Sequence, residues 1–223
     1  MRKIFRWDNP NHGQYIFVDE LHGTETWFQQ FLLQVIDGME ISQAHGGPTW
    51  VKSEVRMIFA SNKPLSKLAI EHDLLARLRE WIIEVPPLVE RNEDIVLFVE
   101  KWCKGYKQES QFLLALLRHN WPGNVRELEN VLKKATALAG KPPVKLRVEH
   151  LELVDMSVID AVREMPETDA EREVMQFLVQ TFESQGLRRG QGLQKRLAEF
   201  LRISQSEVSK RLTSLDINFT THD

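Results

Sequence analysis

Trp121-Pro122-Gly123-Asn124-Val125-Arg126-Glu127-Leu128-Glu129-Asn130-Val131-Leu132 is the stretch on which the fold turns. Pro122-Gly123 is turn chemistry. Directly after it, Val125, Leu128, Val131, Leu132 and Ala135 recur at helical spacing, so an amphipathic helix starts at the turn. Two similar stripes come before it, Ile95, Phe98, Val99 and Trp102, then Phe112, Leu113, Leu116 and Leu117. The chain is therefore helical in texture from Asn92 until Lys141-Pro142-Pro143 ends the block.

Upstream the pattern changes. Residues 1–14 read as a loop, with Asp8-Asn9-Pro10-Asn11 as its turn residues. Tyr15–Val18 is a short apolar run ended by two acids, which suits a buried strand. Phe28, Phe31, Leu32 and Val35 predict a helix over Trp27–Ile36, stopped by Gly38. His45-Gly46-Gly47-Pro48 predicts a turn between two extended segments. Val55–Ala60 predicts a second buried strand, Asp73–Leu78 a short helix, and Trp81–Val85 a third strand halted by Pro86-Pro87.

The bulk composition is that of an ordinary globular protein: 223 residues, 42% hydrophobic and 27% charged. A formal net charge of -3 gives no chain-wide reason to bind nucleic acid, so any such argument must be local. The single Cys103 excludes an intrachain disulfide and a cysteine-based metal cluster. No apolar run approaches the roughly 18 residues of a membrane span, and the basic N-terminus lacks the apolar core of a signal peptide. These readings predict a cytoplasmic location and no membrane partner.

The first concentration of chemistry is Asp19-Glu20, placed after four apolar residues. In open α/β sheets ligands sit beyond the carboxyl ends of the strands. Two acids there can hold Mg²⁺ and polarise a water, although a strand ending in two solvated acids is also a common surface feature. Val55–Ala60 ends comparably in Ser61-Asn62, where an amide can orient a water or merely support the turn before Pro64. Leu74-Leu75-Ala76-Arg77-Leu78-Arg79 sets two guanidiniums on a short apolar helix. They suit either charge on a transferring phosphoryl group or ordinary surface ion pairs.

Taken together and in this order, the segments resemble the AAA+ domain of the bacterial sigma-54-dependent transcription activators. Phe17-Val18-Asp19-Glu20 is similar to their Walker B segment and Ala60-Ser61-Asn62 to sensor I, with Ser61 where the family usually has Thr. Asp73–Leu78 resembles the arginine-finger segment. Pro86-Pro87-Leu88, Glu90-Arg91 and Glu93-Asp94-Ile95 resemble the approach to the lid, and Trp121–Leu132 the sensor II signature. The resemblance covers about residues 13–140. It implies that Asp19 organises Mg²⁺ on bound ATP, Glu20 activates water, and Asn62 senses the γ-phosphate. It also implies that Arg77 acts on the nucleotide of a neighbouring subunit in a homo-oligomeric ring, that Arg126 reports nucleotide state to the lid, and that sigma-54 RNA polymerase is the partner remodelled.

The sequence departs from that family in three places. No G-x-x-x-x-G-K-[ST] occurs in these 223 residues; the only Gly-Lys pair is Gly140-Lys141. The Gly-Ala-Phe-Thr-Gly-Ala loop that touches sigma-54 in the family is absent too, and both are expected upstream of Met1. Glu71 stands where many relatives have a second Arg. A chain starting at residue 1 is expected to leave sheet edges unpaired and to bind nucleotide weakly by itself.

Residues 193–215 have the pattern of a helix-turn-helix. Leu193, Leu197, Phe200 and Leu201 make one inner stripe, and Arg202-Ile203 the turn. Ser204 with Glu207 forms a capping box, and Val208, Leu212 and Leu215 face inward on the second helix. Gln205, Ser206, Ser209, Lys210 and Thr213 face outward, as suits base edges and phosphates of DNA. Residues 186–213 carry seven Lys/Arg against two Glu. A solvated helical pair used for dimerisation is the other reading. In the family a Fis-type helix-turn-helix follows the lid. Here Arg202 replaces the usual turn glycine, at a cost of about 1 kcal/mol if that position is left-handed.

The expected architecture is α/β followed by all-α. A partial AAA+ subdomain with a parallel sheet of the P-loop type spans residues 1–90, a helical lid 91–140, a linker 141–170 and a helix-turn-helix domain 171–223. The expected function is a sigma-54-interacting transcriptional regulator, truncated here, whose whole form hydrolyses ATP. The competing readings are a non-enzymatic DNA-binding or oligomerisation protein without its own nucleotide site, and another AAA+ machine such as a clamp loader or unfoldase.

Overall fold

The computed structural model describes residues 4–9, 13–37, 40–42, 50–52, 56–68, 70–79, 81–188 and 192–217. It divides into two units, Met1–Glu84 and Val85–Asp223.

In the first unit, β1 (Ile4–Asn9) pairs antiparallel with β2 (Gly13–Val18), from Ile4 opposite Val18 to Asn9 opposite Gly13. Within the loop expected over residues 1–14, Ile4–Asn9 is thus one strand and Gly13-Gln14 the start of its partner. Of the expected turn residues, Asp8 and Asn9 belong to β1, and Pro10 and Asn11 lie outside the described residues. After β2 come α1 (Thr26–Ile36), the short antiparallel pair β3 (Glu40–Ser42) and β4 (Trp50–Lys52), β5 (Arg56–Phe59) and α2 (His72–Leu78). The expected turn at His45–Pro48 and the expected stop at Gly38 lie outside the described residues. β5 lies parallel to β2, which completes a mixed sheet in the order β1-β2-β5. Val18, Leu21, Leu32 and Leu74 form the centre of this unit's core, with Ile16, Phe28, Met57 and Phe59 packed on it.

The third strand expected at Trp81–Val85 is not one. Trp81 and Ile83 are 92% and 90% exposed, and the segment carries no ladder. An apolar run becomes a strand only where an open edge supplies hydrogen-bond partners. Among the described residues no strand pairs with this one.

The second unit is largely helical. It contains α3 (Glu93–Trp102), α4 (Ser110–Arg118), α5 (Asn124–Ala139), α6 (Met156–Glu164), α7 (Glu167–Ser184), α8 (Leu193–Leu201) and α9 (Gln205–Ser214). The two-residue strands β6 (Lys107–Gln108) and β7 (Lys145–Leu146) pair in parallel. The three predicted stripes fall on α3, α4 and α5 and are mostly buried. One continuous core runs from Leu88 to Ile217, and Leu146, Val148, Leu151 and Leu153 of the segment between α5 and α6 are part of it. Among the described residues no helix is long and apolar enough to cross a membrane.

Candidate functional site

The register of β2 and β5, Tyr15 opposite Arg56 through Val18 opposite Phe59, brings the carboxyl ends of the two strands level. Two further bonds hold them there. The Ala60 N–H donates to the Val18 carbonyl at 2.9 Å, and the Leu21 N–H to the Ala60 carbonyl at 3.2 Å. Asp19-Glu20 and Ser61-Asn62 therefore leave the sheet along one edge. Glu20 is exposed and left-handed, at φ 55° and ψ 47°, a conformation that costs a residue with a Cβ and is held here by its surroundings. Asp19 Oδ1 accepts the Glu20 N–H at 3.0 Å. His22 Nδ1 lies 3.2 Å from Ser61 Oγ, which accepts the Lys63 N–H at 3.0 Å, so a side-chain bridge crosses between the two strand ends. Asn62 is exposed beside it.

A buried relay that sequence reading missed supports this loop. Thr24 Oγ1 donates to the Leu21 carbonyl at 2.7 Å, Gln29 Nε2 to the Thr24 carbonyl at 3.0 Å, and Gln29 Oε1 accepts the Glu71 N–H at 2.8 Å. Gln29 is only 4% exposed, and each of its polar ends is bonded to the backbone. The available signal was a glutamine on the apolar side of an amphipathic helix. The relay links the Glu20 loop to the start of α2, which carries Arg77. Arg77 Nε pairs with Asp37 Oδ1 at 2.9 Å, at the carboxyl end of α1, rather than with the acids of the sheet edge.

Among the described residues no three His, Cys, Asp or Glu side chains cluster as a metal site. Magnesium is commonly held by one or two carboxylates together with phosphate oxygens of its substrate. Asp19 with Glu20 fits that partial donor set and no fuller one.

In the second unit the Trp121–Leu132 turn is built by side chains. Trp121 and Asn124 both take positive φ, 51° and 52°. The Trp121 indole N–H donates to the Leu116 carbonyl at 2.8 Å, and Asn124 Oδ1 accepts the Leu88 N–H at 2.8 Å. Glu127 spans the turn: Oε2 accepts the Gly123 N–H at 2.7 Å and Oε1 lies 2.9 Å from Nε2 of buried His119. A Cβ on Gly123 would lie 2.8 Å from the Glu127 Cβ, so the close approach requires glycine. Arg126 is thereby presented outward on the first turn of α5. It lines an open cavity of about 510 Å³ with Asn130, Lys134 and Glu152. His119 and Glu127 were not singled out from sequence; glycine followed by Glu four residues on was the available signal.

At the C-terminus, α8 and α9 pack through Leu197, Phe200, Val208 and Leu212. Ser204 Oγ caps α9 by accepting the Glu207 N–H at 3.1 Å. The Glu207 carboxylate instead takes Arg211 Nε at 3.1 Å, so the expected capping box is half formed. Gln205, Ser206, Ser209, Lys210 and Thr213 are all exposed. Ser209 and Thr213 spend their hydroxyl protons on the Gln205 and Ser209 carbonyls, at 3.1 and 3.0 Å.

A parallel strand pair with acids at one edge, followed along the chain by a helical unit that contains the Trp121 turn, is the make-up of an AAA+ type α/β protein with a helical lid. Residues 8–84 match the sigma-54 interaction domain, and residues 89–156 the AAA+ ATPase lid domain. Among relatives, the alginate biosynthesis transcriptional regulatory protein AlgB of Pseudomonas putida is 30% identical over 166 residues, 68% of this chain and 36% of its own length. The Nif-specific regulatory protein of Azotobacter vinelandii is 28% identical over 221 residues, 92% of this chain and 41% of its own. The crystal structure of NtrX from Brucella abortus in complex with ATP is similar with a TM-score of 0.52 at 26% identity, covering 90% of this chain and 48% of that one. The chain belongs to the family of sigma-54-dependent transcriptional regulators, and it spans well under half the length of the curated relatives it matches.

Proposed function

We propose that this chain serves a sigma-54-dependent regulator as the hydrolytic edge of its ATP site, the lid, and a C-terminal DNA-binding unit. The observation that carries the reading is the level ending of β2 and β5, from which Asp19-Glu20 and Ser61-Asn62 leave along one edge, in a segment matching the sigma-54 interaction domain. Asp19 holds Mg²⁺, whose charge offsets that of the ATP phosphates. Glu20 orients and takes a proton from the attacking water, and Asn62 bonds near the γ-phosphate. Arg77, exposed on α2, serves the nucleotide of a neighbouring copy in a ring, giving up Asp37 to do so. Arg126 reads nucleotide state from the lid. Residues 1–90, 91–140, 141–170 and 171–223 act as the α/β part, lid, connection and DNA-binding part. The exposed face of α9, with Gln205 and Lys210 foremost because their side chains have no hydrogen-bond partner among the described residues, reads duplex DNA as the second helix of a helix-turn-helix. The protein works in the cytoplasm with sigma-54 RNA polymerase.

A second reading, a DNA-binding or oligomerising protein without hydrolysis, rests on the same exposed face of α9 and asks nothing of Glu20. A chimera separates the two. A P-loop-bearing segment from a family member, joined ahead of this chain, is expected to hydrolyse ATP and to lose that activity in Glu20→Gln. A folded but inactive chimera, or one indifferent to Glu20→Gln, supports the second reading.

A further inference from the structure

The lid and the terminal helix pair meet at a joint. Arg196 of α8 binds Glu100 of α3 through two bonds of 2.6 Å, and its guanidinium lies 5.0 Å from the centre of the Phe182 ring. Beside this joint is a cavity of about 220 Å³ whose lining includes Glu100, Lys104, Glu199, Phe200 and Arg202. Lys104 follows α3, and Arg202 is the left-handed residue at the turn into α9, so the cavity brings a lid lysine to the turn of the helix pair. Both side chains are exposed, and among the described residues neither is held in an ion pair or a side-chain hydrogen bond. The charge of Glu100 is taken up by Arg196. Among the described residues, Glu199 is the one other carboxylate that lines this cavity and opposes the two cations.

Resting on the reading of α9 as the DNA-contacting helix, we infer that the lid carries part of the DNA surface: Lys104, set beside Arg202 by the Arg196–Glu100 joint, binds a backbone phosphate of the duplex that α9 enters. In a helix-turn-helix the turn and its flanks lie against the phosphate backbone while the second helix takes the groove. A lysine one small cavity from that turn is within reach of the same strand. The contact is sequence-independent, so it adds affinity and salt dependence without changing base preference. Nucleotide-driven movement of the lid then acts on DNA binding directly, through a shared surface.

The test is anisotropy of a fluorescein-labelled random-sequence duplex of about 30 base pairs with the full chain, titrated from about 50 to 300 mM salt, where each phosphate contact adds roughly 0.9 to the slope of log K against log salt. Lys104→Gln is expected to lower that slope by about one contact, and Lys104→Arg to keep it. Lys133→Gln, which removes a lysine paired with Glu129 on α5, is expected to leave it unchanged. Equal slopes for wild type, Lys104→Gln and Lys133→Gln overturn the lid contact while leaving DNA binding standing. No binding by the wild type at the lowest salt overturns the reading of α9, and this inference with it.

Discussion

The Arg196 guanidinium and the Glu100 carboxylate are joined fork to fork, at 2.6 Å on both sides, across 96 residues of sequence. Both side chains are a little over one quarter exposed, and the Glu100 bonds hold the arginine more firmly protonated than usual. Removing either partner leaves a partly buried charge without its mate. Arg196→Leu and Glu100→Gln are each expected to cost about 1–3 kcal/mol in urea unfolding, and the double variant less than their sum. Additive losses would show that the pair is not coupled in solution.

Arg202 sits at φ 54° and ψ 46°, the left-handed position anticipated for a turn glycine. Arg202→Gly removes the Cβ penalty at some entropic expense in the unfolded chain. A rise in stability of up to about 1 kcal/mol is expected, with weaker duplex binding as the accompanying loss. Thermal unfolding measures the first and anisotropy the second.

The Trp121 turn is sterically closed at Gly123. Gly123→Ala must push the Glu127 side chain off the turn, with an expected loss of about 1–3 kcal/mol. Glu127→Ala frees the Gly123 N–H and one ring nitrogen of buried His119 and should cost a similar amount. Circular dichroism melts of the two variants check this, and wild-type melting in both would contradict the clamp.

Burial pushes the Cys103 thiol from its ordinary 9.0 up to about 12. The folded state favours the protonated thiol, so this contribution to stability is complete below pH 9 and is lost as pH rises toward 12. Folded protein should resist thiol reagents at neutral pH and react at the rate of unfolding. Fast labelling without denaturant would contradict it.

Where signals were local, sequence reading carried far. The stripes of α3, α4 and α5, the acids after β2 and the Ser204 cap are patterns within a dozen residues. What escaped it depends on partners distant in sequence. Ile4–Asn9 becomes a strand by pairing with β2, whereas Trp81–Val85 pairs with no described strand and stays exposed. Gln29 looks like an ordinary helix polar residue until Glu71, 42 residues on, is brought to it. Glu207 was read as half of a capping box, but Arg211 one turn later competes for its carboxylate, a rivalry written in the sequence and overlooked.

Hydrolysis of Mg-ATP by the purified 223 residues, over a range of protein concentrations, is the most direct test of the central claim that this chain holds the hydrolytic edge but not the phosphate grip. Without the lysine and backbone amides of a P-loop, no turnover is expected at any concentration. Turnover that rises with concentration and vanishes in Glu20→Gln would contradict the claim, since a working site would then assemble from these residues by themselves.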